Sequence, residues 1–404
     1  MPTPLPTPSP TPTSGGLLSG ATRWVQVLST SGDDRVWGVG ADRAGEAFLL
    51  WFDGAAGALR LGRASASTTT LLGSFNAAKL QSAELDVGPD EALYLGATGQ
   101  ETPYPYVIDL GGGPQGVSQI ARFGLDGRFA SVVDRCGLDC ERHVLAVSAR
   151  GDVVVAMSGA FQLETDLIRA DGARLPLFAN SLGAITGPLA DMGCWAAAFG
   201  PDGNPVCGGI TANGAAVMPG LVGQATFAGH PAVAKLDLAG RVLWRQALGV
   251  TGLVTGLGTS ALGTVVAAGA FTGKARFGTD DLDRSGGAFA GFLATIEANG
   301  APRWARQLDD PALELAVDPA GRAAVCTEAA HWPGGTPAGA SATLRYYDLA
   351  GALHWTRPLP PRLGGLAIRA GDVLMGGTWL GSFDFGAGLA TSSGDDAYLL
   401  DVAP

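Results

Sequence analysis

Pairs of adjacent aspartates are the residues of this sequence whose type and spacing point most directly to chemistry. Carboxylate oxygens bind hard cations such as calcium, and a patch of them also attracts a basic partner. The alternative is that they are ordinary solvated residues of polar loops, which the acidic composition favours (37 Asp and Glu against 26 Lys and Arg). The pairs are Asp33-Asp34, Asp280-Asp281, Asp309-Asp310 and Asp395-Asp396.

One of these pairs begins a calcium-loop pattern. The segment from Asp281 to Gly286 has the order Asp-x-Asp-x-Ser-Gly, which opens calcium-binding loops. The complete loop needs a Glu at its twelfth position, where this sequence has Phe292. A second copy of the surrounding repeat has Gly388 and Ala390 in place of the two acids. The alternatives are therefore a calcium site with Asp280, Asp281 and Asp283 among its ligands, or a repeat loop with acids added in one copy.

Aromatic residues are the other candidates for ligand contact. His331, Trp332 and Trp379 follow apolar runs that we interpret as second strands of a repeat, and Tyr104 and Tyr106 stand in a long loop of the same class. Exposed aromatic side chains stack on sugars or peptides. Aromatic residues that fold back onto their own repeat are the alternative.

Signatures of catalysis are weak. The four His have no metal-ligand spacing on one element, and neither His-Glu-x-x-His nor Gly-x-Ser-x-Gly occurs. An enzyme with this sequence would have to use carboxylates or His around a central channel, as a lyase or a glycoside hydrolase would.

The five cysteines of the sequence are evidence about the redox state of the compartment in which the protein works. Cys136 and Cys140 are close in sequence, and Cys194 and Cys207 flank the turn from Gly200 to Gly203. Two disulfides are one interpretation and suit an oxidising compartment. Buried thiols that pack as small apolar residues are the other.

Internal repeats predict the elements that position these residues. Three segments align without gaps at 235–244, 295–304 and 346–355. Each has an acid, a Gly three residues later and a Trp four residues after the Gly, as in Asp237, Gly240 and Trp244. An acid and a Gly between apolar runs predict a strand, a tight turn and a second strand. The repeated Trp is expected to pack between neighbouring repeats.

A second type of turn gives the number of repeats. It occurs seven times, for example at 200–203 and 318–321, at intervals of about 45 to 60 residues. Four strands in a period of that length are typical of a propeller blade. We therefore predict an all-β fold, a seven-bladed β-propeller with four-stranded antiparallel blades.

The two ends of the chain complete one blade. The last copy stops at Pro404 without its Trp-bearing strand, and the segment from Arg23 to Gln26 matches that missing strand. We expect the N-terminal strand to pair with the C-terminal blade and so to close the propeller.

The first residues have a different composition. Residues 1–16 read MPTPLPTPSPTPTSGG, which favours extended polyproline II and predicts a disordered tether. Residues 17–404 then form a single propeller domain. No export signal is visible, and we expect one, or a lipid anchor, upstream of the given start.

The repeat resembles the SBBP-type repeats of bacterial secreted proteins and lipoproteins. The residues that carry the resemblance are Lys235 and Asp237 before a Gly turn and Leu243-Trp244, together with the segments Phe277-Gly278 to Gly287 and Phe385-Gly386 to Gly394. It is best over 230–404, and it implies a propeller and an exported location but no reaction.

Composition limits the partners. The net charge of −11 argues against nucleic acid, and no apolar run has the roughly 20 residues of a membrane-spanning helix. We expect a monomeric, non-catalytic binding or adhesion module of the bacterial cell surface or extracellular space. Its partner is a protein or a carbohydrate on the long-loop face, and calcium is the single candidate cofactor. The alternatives are an extracellular propeller enzyme and a structural scaffold.

Overall fold

A computed structural model describes residues 20–404 except 78, 100–108, 114–116, 137–139, 160–161, 182–183, 188, 190–191, 213–228, 286–288 and 329–341. The seven antiparallel sheets of this part of the chain are the blades of a seven-bladed β-propeller, as predicted, and none of its residues is helical. The chain divides into two compact units, residues 1–144 with 357–404 and residues 145–356.

The first unit contains blades 1, 2 and 7. Blade 1 consists of β2 (Arg35–Ala41), β3 (Ala47–Asp53), β4 (Ala58–Ala64) and β5 (Thr69–Asn76). Blade 2 consists of β6 (Leu80–Gly88), β7 (Ala92–Gly99), β8 (Ser118–Gly124) and β9 (Phe129–Cys136). Blade 7 consists of β28 (Leu363–Arg369), β29 (Asp372–Asp384), β30 (Leu389–Val402) and β1 (Thr22–Leu28).

The second unit contains blades 3 to 6, although β10 and β27 extend beyond its limits. Blade 3 consists of β10 (Cys140–Val147), β11 (Val153–Gly159), β12 (Gln162–Ile168), β13 (Arg174–Ser181) and β14 (Ala184–Thr186). Blade 4 consists of β15 (Met192–Phe199), β16 (Pro205–Ala212), β17 (Gly229–Leu236) and β18 (Val242–Ala247). Blade 5 consists of β19 (Thr251–Thr259), β20 (Val265–Phe277), β22 (Ala290–Ile296) and β23 (Pro302–Leu308), with β21 (Asp280–Arg284) paired to β20. Blade 6 consists of β24 (Ala312–Val317), β25 (Ala323–Thr327), β26 (Ala342–Tyr347) and β27 (Leu353–Leu359).

The pairing of the two chain ends is confirmed. β1 is antiparallel to β30, with Trp24 opposite Asp401 and Leu28 opposite Ala397. Trp24 is buried in an apolar cluster with residues of blades 1 and 7, including Leu49 and Leu399. The N-terminal strand thus supplies the fourth strand of the blade that the C-terminal residues begin.

The core lies between the blades, because each middle strand is covered on both faces. All seven residues of β22 are buried, and so are the five of β25. A strand that is buried on both faces reads as a continuous apolar run, without polar residues at every second position. This is why the middle strands were recognisable in the sequence as short apolar runs between turns.

The repeated turns have the predicted geometry. In the turn from Asp237 to Gly240, the Gly240 amide donates to the Asp237 carbonyl at 2.9 Å, and the Asp237 carboxylate accepts from the amides of Ala239 and Arg241. Gly240 has a φ of 83°, which few other residues adopt without strain. The acid and the Gly are therefore both required by the turn.

The repeated Trp residues pack between blades, as expected. The Trp244 indole donates to the Ala298 carbonyl of the next blade at 3.0 Å, and the Trp304 indole donates to Leu349 at 3.0 Å. A Cβ at Gly300 would lie 2.7 Å from the Trp244 ring. Each indole therefore lies on the turn of the following blade, and the turn Gly also makes room for it.

The first strands of blades 1 and 2 approach each other closely at a Gly. A Cβ at Gly38 would lie 2.6 Å from the Leu85 amide nitrogen and 2.7 Å from its Cβ. We expect Gly38→Ala to lower the free energy of unfolding by about 1–3 kcal/mol, because backbone must move to relieve the overlap. Urea denaturation measures this. Gly394→Ala is the control, since its added Cβ would meet only Asp33 Oδ1 at 3.5 Å, and an equal loss there would contradict the packing argument.

Candidate functional site

The first part of the segment predicted as a calcium-type loop lies in a β-strand. Asp280–Arg284 form β21, which pairs with the extension of β20 in a hairpin that continues beyond the blade. Lys274 is opposite Asp283, and their charged groups are 2.9 Å apart. Arg276 is opposite Asp281, at 4.0 Å. The acids of the calcium pattern thus have basic partners across the hairpin.

The third acid of this hairpin contacts the outer strand of the same blade. The Asp280 carboxylate accepts from the Ala305 amide at 2.8 Å and lies 3.8 Å from the Arg306 guanidinium. The Asp283 amide donates to the Gln307 side chain at 2.9 Å. The hairpin therefore lies alongside β23, where Asp280 satisfies an outward-facing backbone donor of an edge strand.

The other aspartate pairs also have protein partners. Asp34 is buried and accepts from the Thr30 hydroxyl at 2.9 Å and from the Gly54 amide at 3.0 Å, while burial raises its pKa despite these bonds. Asp309 pairs with Arg345 at 3.1 Å. In the last pair, Asp395 contacts Arg362 at 2.6 Å and Asp396 accepts from Ser29 at 2.9 Å. Asp33 and Asp310 are adjacent to these residues in the same loops.

No three His, Cys, Asp or Glu side chains of the described residues are grouped as a metal ion requires. Each acidic pair contributes at least one carboxylate to a bond within its own neighbourhood. These carboxylates therefore bond within the loops and hairpins that carry them, and a calcium site at the aspartate pairs stays a prediction.

Trp379 does not contribute an exposed aromatic surface. It is 2% exposed, and its ring packs edge-to-face on Phe385 at 5.5 Å and on Tyr398 at 6.0 Å. The alternative in which this aromatic residue folds back onto its own blade is correct, because β29 continues past it and the hairpin residue Phe385 covers it. The other candidates, Tyr104, Tyr106, His331 and Trp332, lie outside the described residues.

Cys194 and Cys207 are free thiols in this structure and do not form a disulfide. Both thiols are free and buried, in one apolar cluster with Met192 and Leu167. A bulge at Trp195 puts Gly209 opposite Cys194 and Ala197 opposite Cys207, so the two cysteines are not cross-strand partners. Burial raises the pKa of the Cys194 thiol, which makes it a poor nucleophile. The side chains of Cys136 and Cys140 are outside the described part of the chain.

The hairpin of blade 7 presents the most exposed apolar side chains on a regular element of the described chain. Leu380 is 67% exposed and Leu389 is 71% exposed. Between them Ser382 and Thr391 are directly opposite each other, with their hydroxyls 3.2 Å apart. The equivalent hairpin of blade 5 exposes a ladder of charges. The same supersecondary unit thus carries two different surfaces, both on connections between second and third strands.

The sequence did not single out this surface, because Leu389 lies within the repeat segment from Phe385 to Gly394 and Leu380 belongs to no motif. One signal is available in the length of the strand: β29 has 13 residues and continues past the length of a normal blade strand, so its last residues lie outside the blade. A leucine near the end of this strand lies outside the core, whereas the earlier residues of the same strand are buried.

Sequence reasoning also missed carboxylates on the first strands. Glu84 and Glu314 each precede the first turn of their blade by four residues, a position that Gly38 and Gly256 occupy elsewhere. Glu84 accepts from the Val144 amide and lies 3.4 Å from the His143 ring nitrogen. Its carboxylate therefore contacts the middle of β10.

Two acids of the first strands are held in an environment that disfavours charge. Burial, together with the nearby Glu84 carboxylate, raises the pKa of Asp86 to about 6. In the second unit, burial alone raises the pKa of Glu314 to about 7. Raised carboxyl pKa values occur at functional sites and in strained structural positions alike. The contacts of Glu84 are with the protein itself, which favours a structural role for this group.

No family model matches the sequence, and no curated protein matches it. The propeller that the repeat resemblance implied is confirmed, while membership of the SBBP-type group stays a prediction. No segment of the described chain forms a helix of the length and apolarity that a membrane crossing requires.

Solved structures similar to this chain include a polysaccharide lyase, Uly1, at 11% identity and a TM-score of 0.48, covering 97% of this chain and 94% of that one. The Dos1 propeller is similar at 10% identity and a TM-score of 0.46, with 94% of each chain covered. BamB from Moraxella catarrhalis is similar at 13% identity and a TM-score of 0.42, covering 99% of this chain and 94% of that one. The fold assignment rests on the strand pairing described above, and the chain is a seven-bladed β-propeller.

Proposed function

We propose that this propeller is a non-catalytic binding module of the bacterial cell surface or extracellular space, and that it recognises a protein. The observation that carries the proposal is the exposed pair Leu380 and Leu389 on the blade 7 hairpin. Exposed apolar side chains in a polar surround are typical of protein interaction sites.

The scaffold supports this assignment. The middle strands are buried on both faces, so the hairpin extends from a rigid sheet, and rigid scaffolds with variable connections are the usual arrangement in binding proteins. The blade 7 hairpin also exposes the hydroxyls of Ser382 and Thr391, which could bond to a polar group of the partner. Leucine has no flat ring on which a sugar could stack, and this favours a protein over a glycan.

The proposed function includes a location of the protein outside the cytoplasm. The residues of the tether, 1–16, are a spacer of the kind found between an anchor and a folded domain. We infer an exported protein that is located at the cell surface or outside the cell. The Glu84 carboxylate is bonded to backbone and lies beside His143, so this particular acid is not free to act on the substrate of a lyase or a hydrolase.

The test is binding of the labelled protein to intact cells of the producing organism, before and after protease treatment of the cells. We expect saturable binding that protease treatment removes and that the double variant Leu380→Ser/Leu389→Ser weakens at least about tenfold, the effect of losing 1.4 kcal/mol. Leu262→Ser is the control, because Leu262 is 80% exposed but lies in the turn between the first two strands of blade 5. Equal weakening by the control, or binding that survives protease and is lost on glycan oxidation, would contradict a protein partner.

A further inference from the structure

The turn of blade 5 between β22 and β23 holds its downstream amide with a different residue from the turn of blade 4. In blade 4 the acid that begins the turn, Asp237, accepts from the Arg241 amide at 2.9 Å. Blade 5 has the longer Glu297 at that position, and the equivalent amide, that of Ala301, donates to the Asn299 side chain at 3.0 Å instead. Asn299 has thus taken over a hydrogen bond that satisfies the backbone of the turn.

Asn299 stands in a setting that favours reaction of its side chain with the backbone. It is exposed, and the next residue is Gly300, which has a φ of 90° and no side chain to hinder attack by its nitrogen. The Gly300 nitrogen is the nucleophile that can attack the Asn299 side-chain carbonyl. The bond from Ala301 to the oxygen of this carbonyl stabilises the negative charge that the attack creates. The Gly300 amide also donates to the Glu297 carbonyl at 2.8 Å, so the reaction requires brief opening of the turn.

We propose that Asn299 is a site of spontaneous modification, at which its side-chain amide is lost through a cyclic imide with Gly300. The Gly300 nitrogen forms a bond to Cγ of Asn299 and releases its proton, while the bond from Cγ to the amide nitrogen breaks. The amide group leaves with that proton as ammonia. Water then opens the imide at one of its two carbonyl carbons. Opening at Cγ gives aspartate, and opening at the backbone carbonyl gives isoaspartate, in which the chain runs through the former side chain.

The aspartate product fits the turn. Asp126 and Asp171 occupy the same position, directly before the turn Gly, in blades 2 and 3. Their carboxylates accept from the amides of Arg128 at 3.1 Å and Ala173 at 2.9 Å, which is the bond that Asn299 makes in blade 5. An aspartate at position 299 therefore keeps the hydrogen bond and the length of the turn.

The isoaspartate product does not fit, because it lengthens the backbone of the turn by a methylene group. Trp244 of blade 4 packs against this turn, and its indole donates to the Ala298 carbonyl at 3.0 Å. Its ring is so close to Gly300 that an added Cβ there would lie 2.7 Å away. A longer turn must move the Ala298 carbonyl, Gly300 or both. Formation of isoaspartate therefore weakens the contact between blades 4 and 5.

Incubation of the full chain in a mildly alkaline buffer, followed by peptide mapping with mass spectrometry, tests the modification. We expect the mass of the peptide that contains Asn299 to rise as the amide becomes an acid, and isoaspartyl methyltransferase to label part of the product. Mapping separates this change from one at Asn213, which also precedes a Gly. Asn204 is the matched control, because the following Pro205 has no backbone N–H with which to close an imide. An Asn299 that keeps its amide, or that changes no faster than Asn204, overturns the proposal.

Melting of the separated products tests the structural consequence. The isoaspartyl form, purified by ion exchange, is expected to melt at least about 2 °C below the wild type. Asn299→Asp carries the same charge without the longer backbone and is expected to melt with the wild type. Equal melting of the isoaspartyl form and the wild type overturns the predicted effect on Trp244, and an equal loss in Asn299→Asp overturns it by assigning the loss to charge. Neither outcome bears on the Leu380 surface.

Discussion

A chain that begins at Ser29 is expected to lose its cooperative unfolding transition, whereas a chain that begins at Leu17 keeps it. The shorter chain lacks β1, so the ladder from Thr22 to Leu28 along β30 is missing and an edge of the last blade is left open. It also lacks the buried Trp24 side chain, whose loss alone as Trp24→Ala should cost about 3–5 kcal/mol. Removal of the whole strand should exceed 5 kcal/mol, close to the full stability of a typical domain.

Polar contacts of β1 add to this effect. Arg23 pairs with Asp372 at 2.8 Å, and the Arg369 guanidinium lies over the Trp24 ring at 5.6 Å while it donates to Asp401 at 2.6 Å. Loss of β1 therefore also uncovers buried charged groups of blade 7. Urea denaturation followed by circular dichroism gives the comparison, and a wild-type transition in the chain that begins at Ser29 would show that blade 7 needs no fourth strand.

Glu314→Gln is expected to stabilise the protein at neutral and alkaline pH. The pKa of this carboxyl is about 7 in the folded protein, against an ordinary value of 4.5. Below pH 4.5 the group is protonated in both states and the variant gains nothing. Between pH 4.5 and 7 the unfolded state ionises first, so wild-type stability falls as the pH rises. Above pH 7 the full difference is present, about 1–3 kcal/mol in favour of the variant.

Unfolding free energies of wild type and variants from pH 4 to pH 8 measure this dependence. Asp86→Asn should behave in the same way in its own blade, over a lower window from 3.8 to about 6. Asp281→Asn is the control, because the Asp281 side chain is 80% exposed and its charge should matter little at any pH in this range. Equal stability of Glu314→Gln and wild type at pH 8 would mean that the Glu314 carboxylate is well solvated.

The architecture was predictable because it depends on signals that are local in the sequence. An acid and a Gly in each turn, apolar runs of strand length and the Trp that packs on the next turn all follow from short-range chemistry. The pairing of β1 with β30 was also predictable, because the segment at Trp24 matches the strand that the last repeat lacks.

The surface was less predictable, because it depends on how far a strand continues. The acids from Asp280 to Asp283 match a loop pattern, and their strand conformation follows from pairing with Lys274 and Arg276, which no loop pattern contains. The burial of Trp379 follows from the position of Phe385, six residues later in the turn of the hairpin. The raised pKa of Glu314 follows from neighbours that are distant in sequence.

The pairing of β1 with β30 also constrains the order of folding during synthesis. β1 leaves the ribosome more than 350 residues before its partner Leu389–Val402 is complete. Loops closed by nearly the whole chain form slowly, and segments that wait expose apolar surface. Blade 7 is thus the last of the seven blades that can assemble, and Trp24 must stay solvated or be shielded by a chaperone until β30 has been made.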